Sequence, residues 1–376
     1  MISTRGNFTH EPGIFFLFSL GSFRSWLQLL RSNRRFGGTH WLHALTIAFH
    51  RFVSIPLRLC GRARYARLIK ETIISEPPVF VIGHWRSGTT HLHNLMCQDE
   101  KLSYITMSQV AAPEISLLDW EALKRIAAHF VPPNRPMDNM TLSADSPQEE
   151  EFAVANISSY SFYHQWSFPR NARYYFNRYV LFHNTTSEWV ERWKEVYMDI
   201  LRSITFGAGG KRVVTKNPTN TGRIGILLEL FPDAKFIHIY RNPYIVFLST
   251  QHLYNRFLPM FQLQEVTQEE IEANIFFFYE QLMRKFFADK FIIPEGNLVE
   301  VRFEDLEANP LAELRRIYDS LSLPGFDVAE PAFQAYIASQ ADYRKNPYNV
   351  DSETIGKVNQ HWQFAIDAWG YDPPAG

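Results

Sequence analysis

The run Val79-Phe80-Val81-Ile82, passing directly into Gly83-His84-Trp85-Arg86-Ser87-Gly88-Thr89-Thr90, most narrows what this chain can become. Four apolar residues after the break Pro77-Pro78 read as a short strand buried on both faces. The glycine-bearing octet then delivers the chain into a helical pattern at about 89–97. Strand, tight turn and helix start together make an anion site. The first N–H groups of the helix lack partners and point at the ligand, and the helix dipole adds positive potential. Such a site needs a sheet whose strands end beside helix starts. The remaining pattern supplies one: Lys211–Thr215, Lys235–Tyr240 and Leu298–Phe303 read as strands, and residues 188–205, 221–230, 268–290 and 310–321 as helices between and after them. Trp189, Trp193, Val196, Ile200 and Ile204 form one apolar stripe on the first of these helices. A further helix is expected at 116–130, followed by the Pro-rich loop 132–136. Alternation of this kind implies an α/β fold of three layers around a central parallel sheet. No repeat or low-complexity linker interrupts residues 76–376, read as one domain behind a helical N-terminal extension, 1–75.

Gly83 and Gly88 have the spacing of a nucleotide-binding P-loop, but Thr89 stands where that motif needs Lys. The strand 236–240 leads into Arg241 instead of the Asp that would hold Mg²⁺. A metal-dependent phosphotransferase is disfavoured on both counts, and no Cys/His spacing suggests another metal. The loop offers Arg86 instead. Arg86-Ser87-Gly88-Thr89-Thr90 after a buried strand resembles the 5′-phosphosulfate loop of sulfotransferases that use 3′-phosphoadenosine 5′-phosphosulfate (PAPS). Phe231 to Pro243, with Arg241 at a strand end and Ser249 eight residues later, resembles the element that binds the donor's 3′-phosphate in that family. Arg clamps phosphate bidentately and a helix hydroxyl gives a fixed donor, so the chemistry is sensible. Val301 to Pro310 resembles the segment after a late strand of the same enzymes, and the resemblance spans residues 78–325. It implies a P-loop-like fold, PAPS as donor, adenosine 3′,5′-bisphosphate (PAP) as product and no metal. The donor site would comprise Arg86, Ser87, Gly88, Thr89, Thr90, Arg241 and Ser249.

Sulfuryl transfer, like phosphoryl transfer, calls for positioning, charge stabilisation and a base for the acceptor proton. Arg86 and the helix start would neutralise the phosphosulfate. Lys216 is similar in position to a family lysine that contacts the bridging oxygen, which implies leaving-group stabilisation. The alternative is a solvent-facing lysine at a strand end. For the base, Glu114 lies 28 residues after Arg86, at a distance some branches of the family use, and Glu149-Glu150-Glu151 offers other carboxylates. The triplet opens a helix, so it also reads as dipole compensation on a solvated face. These rank ahead of His84, inside the loop, and His164, in the aromatic stretch 158–168. Tyr343-Arg344-Lys345-Asn346 loosely resembles the family's basic element over the donor, but Asn346-Pro347 stands where a Gly is expected.

Charge is distributed unevenly. Residues 1–70 hold eleven Arg and Lys against the single acid Glu11, while the whole chain sums to −1. Large apolar residues fill the same segment: Phe15, Phe16, Trp26, Leu30, Trp41, Leu45. The uncharged runs 12–23 and 36–50 are shorter than the ~18 residues of a membrane span. Arg24, and no small-residue cleavage site, follows the first run, which argues against a signal peptide. Arg-punctuated aromatic helices fit either in-plane contact with a membrane surface or packing on the main domain with the Arg face in water. The expected location is cytoplasmic, peripheral to a membrane under the first reading. Membrane contact would favour an apolar or amphiphilic alcohol as acceptor, with 158–168 and 276–279 as aromatic stretches that line either a pocket or the core. No nucleic acid partner is expected. Cys60 and Cys97, the only cysteines, exclude a disulfide-stapled scaffold. A nucleotide-binding phosphotransferase and a non-catalytic membrane scaffold on the same fold are the competing classes.

Overall fold

The structure is a computed structural model that describes residues 17–33, 40–118, 142–341 and 346–373. Its centre is a parallel five-stranded sheet: β1 (Val79–Ile82), β2 (Leu102–Ser103), β3 (Arg212–Lys216), β4 (Lys235–Tyr240) and β5 (Leu298–Arg302), in the order β2-β3-β1-β4-β5. The α/β expectation holds, and so does the alternation that led to it. Side chains of a strand point alternately to its two faces. Phe80, Ile82, Val213 and Phe236 enter one core, against Trp193, Phe247, Leu282 and Trp362. Val79, Val81, Val214 and Ile237 enter the other, against Leu92, Met96, Ile317 and Phe333. Each such side chain contributes about 1.5–3 kcal/mol by leaving water.

Register and caps set the site. Val81 pairs with Lys216 and Ile82 with His238, so the ends of β3 and β4 flank the loop that leaves β1. After β4, the side chain of Asn242 accepts from the Tyr244 N–H and Pro243 opens the helix Pro243–Phe261. That fixes Arg241 at a strand end and Ser249 early in the next helix.

Three features differ from the sequence expectation. The strand expected at 211–215 runs one residue further and includes Lys216. Residues 218–222 form a 3₁₀ turn before the helix Ile224–Leu230, because Asn217 caps the turn with its own side chain. β2 and the helices Phe326–Ser339 and Ser352–Trp369 were not anticipated. Most of the helix expected at 116–130, and the loop 132–136, lie outside the described residues.

The N-terminal helices Phe23–Ser32, His40–Val53 and Ile55–Glu71 do not form a core of their own. Trp26, Leu29, Ala44 and Ile47 join the core that contains Phe80. Arg51 is buried there, its guanidinium donating to Phe18 O at 2.9 Å, Ser22 O at 3.0 Å and Asn156 Oδ1 at 3.3 Å. Among the described residues, no helix is long and apolar enough to cross a membrane.

Candidate active site

The loop after β1 needs its glycines for space as well as for φ. Gly83 (φ 142°) and Gly88 (φ 94°) lie in the left-handed region, and a Cβ would overlap the Ile239 carbonyl oxygen at one and the Phe303 ring at the other. Thr221 clamps the turn from the neighbouring strand's end: its hydroxyl accepts from Gly83 N–H at 2.8 Å and donates to Gly83 O at 3.1 Å. Arg86 itself sits at φ 70°. A non-glycine residue holds that conformation at a cost of about 1–3 kcal/mol, a strain typical of ligand-clamping turns.

That turn aims Arg86 across to the helix after β4, where its Nε donates to Ser249 Oγ at 3.0 Å. Arg241 reaches back, Nη1 donating to Arg86 O at 3.4 Å, with its guanidinium 4.3 Å from the centre of the Phe303 ring. Burial pulls Arg241 below the ordinary arginine value and nearby Arg86 pulls the same way, while Glu304 and Glu307 oppose them. Arg86, Gly88, Thr89, Thr90, Arg241 and Ser249 thus line one cleft of about 280 Å³. Ser87, between Arg86 and Gly88 in the loop, does not line the cleft; it is buried, its N–H bonded to His84 O. All seven residues read from the sequence as the donor site are therefore brought together. Two guanidinium groups, a hydroxyl and a helix start in one concavity suit an anion bearing more than one phosphate-like group. Asn346 also lines the cleft, and Tyr348 closes over it, donating to Ser249 Oγ at 3.1 Å. Residues 343–345 lie outside the described residues.

Beyond the loop lies a buried carboxylate–ammonium pair. Lys216 is not the solvent-facing lysine its strand-end position allowed: it is buried, and its Nζ is ion-paired with Glu149 Oε1. Glu149 Oε2 accepts from the Tyr163 hydroxyl, which in turn accepts from Trp85 Nε1 at 3.1 Å. Trp85 is a residue of the loop, so this chain of contacts joins Glu149 to the anion cleft. Sequence reasoning missed Tyr163, Trp85, Thr221 and Tyr348. Tyr163 lies in the aromatic stretch already singled out, but nothing in that stretch signals its carboxylate partner.

The glutamates separate. None stands on the solvated face that dipole compensation would require. Glu151 is fully buried and gripped by Arg223, with Nη1 to Oε2 at 2.6 Å and Nη2 to Oε1 at 3.1 Å. Ser161, Phe162 N–H, Asn217 and Thr219 satisfy its remaining lone pairs. Burial pushes its pKa up, yet Arg223 and these donors win and hold it below the ordinary carboxylate value. Glu150 is also fully buried, accepting from Tyr197 at 2.7 Å and Asn220 at 2.8 Å, and burial raises its pKa. Glu114 is drawn to the N-terminal helices, paired with Arg58 and lying 3.7 Å from Arg62. It does not line the anion cleft. His84 and His164 are buried, and burial lowers each to about 3, so both are neutral at pH 7. Phe162, Trp166 and Phe168 are core residues.

Comparison with known proteins agrees with this geometry. A sequence profile described as Sulfotransferase family matches residues 77–327. The chain is 36% identical over 354 residues to Stf3 of Mycobacterium bovis and of Mycobacterium tuberculosis, named omega-hydroxy-beta-dihydromenaquinone-9 sulfotransferase, covering 93% of this chain and 90% of that protein. The fold is similar to crystal structures of sulfotransferase STF1 from M. tuberculosis H37Rv (TM-score 0.65, 19% identity, 90% of this chain and 91% of that one) and STF9 from Mycobacterium avium (TM-score 0.68, 16% identity, 94% and 97%). With the loop, the sheet and two-thirds of the sequence in agreement, this chain belongs to the sulfotransferase family.

Proposed function

We propose that the protein transfers a sulfuryl group from PAPS to a hydroxyl of an apolar or amphiphilic, lipid-like acceptor, releasing PAP by in-line displacement. The observation that carries this reading is the convergence of Arg86, Arg241, Ser249 and the Gly88–Thr90 helix start beside the buried Lys216–Glu149 pair. The donor fits the residues present, since two separated anionic groups have two guanidiniums to meet. When bound, it supplies a sulfuryl group on a phosphate leaving group. Arg241 and Ser249 hold the 3′-phosphate; Arg86, Ser87 and the N–H groups of Gly88, Thr89 and Thr90 hold the phosphosulfate end. Glu149 takes the proton of the acceptor hydroxyl. Once neutralised, it loosens its hold on Lys216, whose ammonium donates to the departing oxygen. Tyr163 orients Glu149. Glu151 and Glu114, both read from the sequence as possible bases, are assigned to structure: one neutralises buried Arg223, the other ties Arg58 to the N-terminal helices.

The acceptor class is drawn from the Mycobacterium relative, whose name specifies a hydroxylated menaquinone derivative. A hydroxylated isoprenoid is the corresponding choice here. We place the enzyme in the cytoplasm, peripheral to the membrane that would hold such a lipid. The test has two arms. PAP should raise the melting temperature where ATP with Mg²⁺ does not, and labelled donor should sulfate a detergent-dispersed hydroxylated isoprenoid in preference to a sugar. A thermal shift with ATP and Mg²⁺ alone would return the chain to the phosphotransferase class.

A further inference from the structure

We infer that the helices His40–Val53 and Ile55–Glu71 form a docking face that lies in the surface of an anionic bilayer. The helix His40–Val53 is apolar on two sides, and the fold uses only one. Ala44 and Ile47 point into the core. On its outer side Trp41, Leu42, Leu45, Phe49, Phe52 and Val53 stand open, from 49% exposed at Trp41 to 63% at Phe49. Leu57 and Leu59 continue the patch into the next helix at 41% and 59%. Most of the large apolar side chains exposed among the described residues lie between Trp41 and Ile73. A contiguous face of this kind marks an interaction site.

Charge selects the partner. No Asp or Glu occurs from Pro12 to Lys70, while Arg24, Arg31, Arg62, Arg64, Arg67 and Lys70 are all exposed. Of the acids at these helices, Glu71 is held by Arg67 at 2.7 Å, Glu114 is paired with Arg58 beside Arg62, and Glu265 lies 4.0 Å from His40. A second copy of the chain meeting this face isologously would set one basic rim against another, which opposes association. Anionic headgroups around a buried Trp, Leu and Phe face complement both features. The face also has a connection inward. The helix Ile55–Glu71 walls a cleft of about 320 Å³, lined by Tyr65, Ile69, Ile105, Ile200 and Ile204. Ile105 O accepts from Gln148 N–H at 2.9 Å, one residue before Glu149. A cleft of mixed lining, with Arg62, Lys70, Glu114 and Asp199 beside these apolar groups, therefore lies between the docking helices and the segment that carries the proposed base.

The inference extends the lipid-like acceptor reading from substrate to location, and the two fail separately. The experiment is sedimentation of the full chain with vesicles of phosphatidylcholine alone or mixed equally with phosphatidylglycerol, with turnover of a detergent-dispersed acceptor measured in parallel. Binding to the mixed vesicles should exceed binding to neutral ones by roughly tenfold or more and weaken with salt. Leu45→Glu with Phe49→Glu should abolish it, with the far-UV circular dichroism and the detergent turnover unchanged. Arg64→Glu with Arg67→Glu should remove the preference for phosphatidylglycerol. A wild-type chain that stays in the supernatant overturns the docking face whatever its turnover. So does a double variant that sediments like wild type, or a wild-type dimer in ultracentrifugation that the Leu45/Phe49 variant dissolves. Vesicle binding without any sulfuryl transfer would instead leave the face standing and overturn the proposed reaction.

Discussion

At the scale of single residues, three adjacent glutamates have three different environments. Glu149 is buried against Lys216 and Tyr163, burial raises the pKa of Glu150, and Arg223 holds that of Glu151 below the ordinary carboxylate value. Glu149→Gln should lower kcat by about 10²–10⁴-fold while PAP binding, read by thermal shift, persists. Glu151→Gln should instead unfold the protein more easily, by about 3–5 kcal/mol in a denaturant titration, because Arg223 is left buried and unpaired. The pH signature separates the two roles further. A carboxylate held below its ordinary value contributes stability that is present above the unfolded pKa and lost as pH falls through the folded one. The penalty of Glu151→Gln should therefore be largest near pH 7 and shrink as the pH falls below the ordinary carboxylate range. A constant penalty down to low pH would contradict the Arg223 pairing. None of this could be read from Glu149-Glu150-Glu151 as a string, since the partners come from residues 163, 197, 216 and 223.

Among the elements, the strand–loop–helix unit at 79–96 was legible because everything that defines it is local: an apolar strand, two glycines and a helix start. The same holds for Arg241 and Ser249, one at a strand end and one on the helix that Asn242 caps. Lys216 was less legible. Its strand absorbs it because Glu149, 67 residues away, supplies the counter-charge that lets an ammonium be buried. The two-residue β2 and the C-terminal helices carry weak local signals and gain their order from packing: Trp362, for example, stacks on Tyr279 with ring centres 3.8 Å apart. The loop makes a sharp demand that can be checked. Gly88→Ala should displace the Phe303 ring and force an alanine to positive φ, costing about 1–3 kcal/mol and weakening PAP binding more than overall stability. An alanine variant that binds PAP as tightly as wild type would show that the turn does not need this backbone.

Over the whole molecule, the net charge of −1 conceals a basic N-terminal segment joined to an acidic remainder. Of the two sequence readings of that segment, packing on the main domain has its counterpart in the fold, and membrane contact is the proposal made above. Its inner side packs on the main body through Trp26, Ile47 and buried Arg51, and its outer side leaves a basic, aromatic face open. Burial lowers Arg51 to about 9. Arg51→Met should destabilise the full chain by about 2–4 kcal/mol, because three oxygens lose a buried donor, and a loss under 0.5 kcal/mol would separate the N-terminal helices from the core. Charge patterning alone could not show which residues face which way, since helix periodicity does not say what covers each side. The central claim remains that the arginine-lined cleft and the Lys216–Glu149 pair perform sulfuryl transfer. Single-turnover transfer from radiolabelled PAPS to a hydroxylated isoprenoid tests it most directly, with wild type, Lys216→Met and Glu149→Gln run side by side. A labelled sulfate ester should form with wild type and fall at least roughly a hundredfold with either variant, while PAP still raises the melting temperature of all three. Equal transfer by all three, or no labelled ester from wild type with any hydroxyl acceptor, would contradict the account.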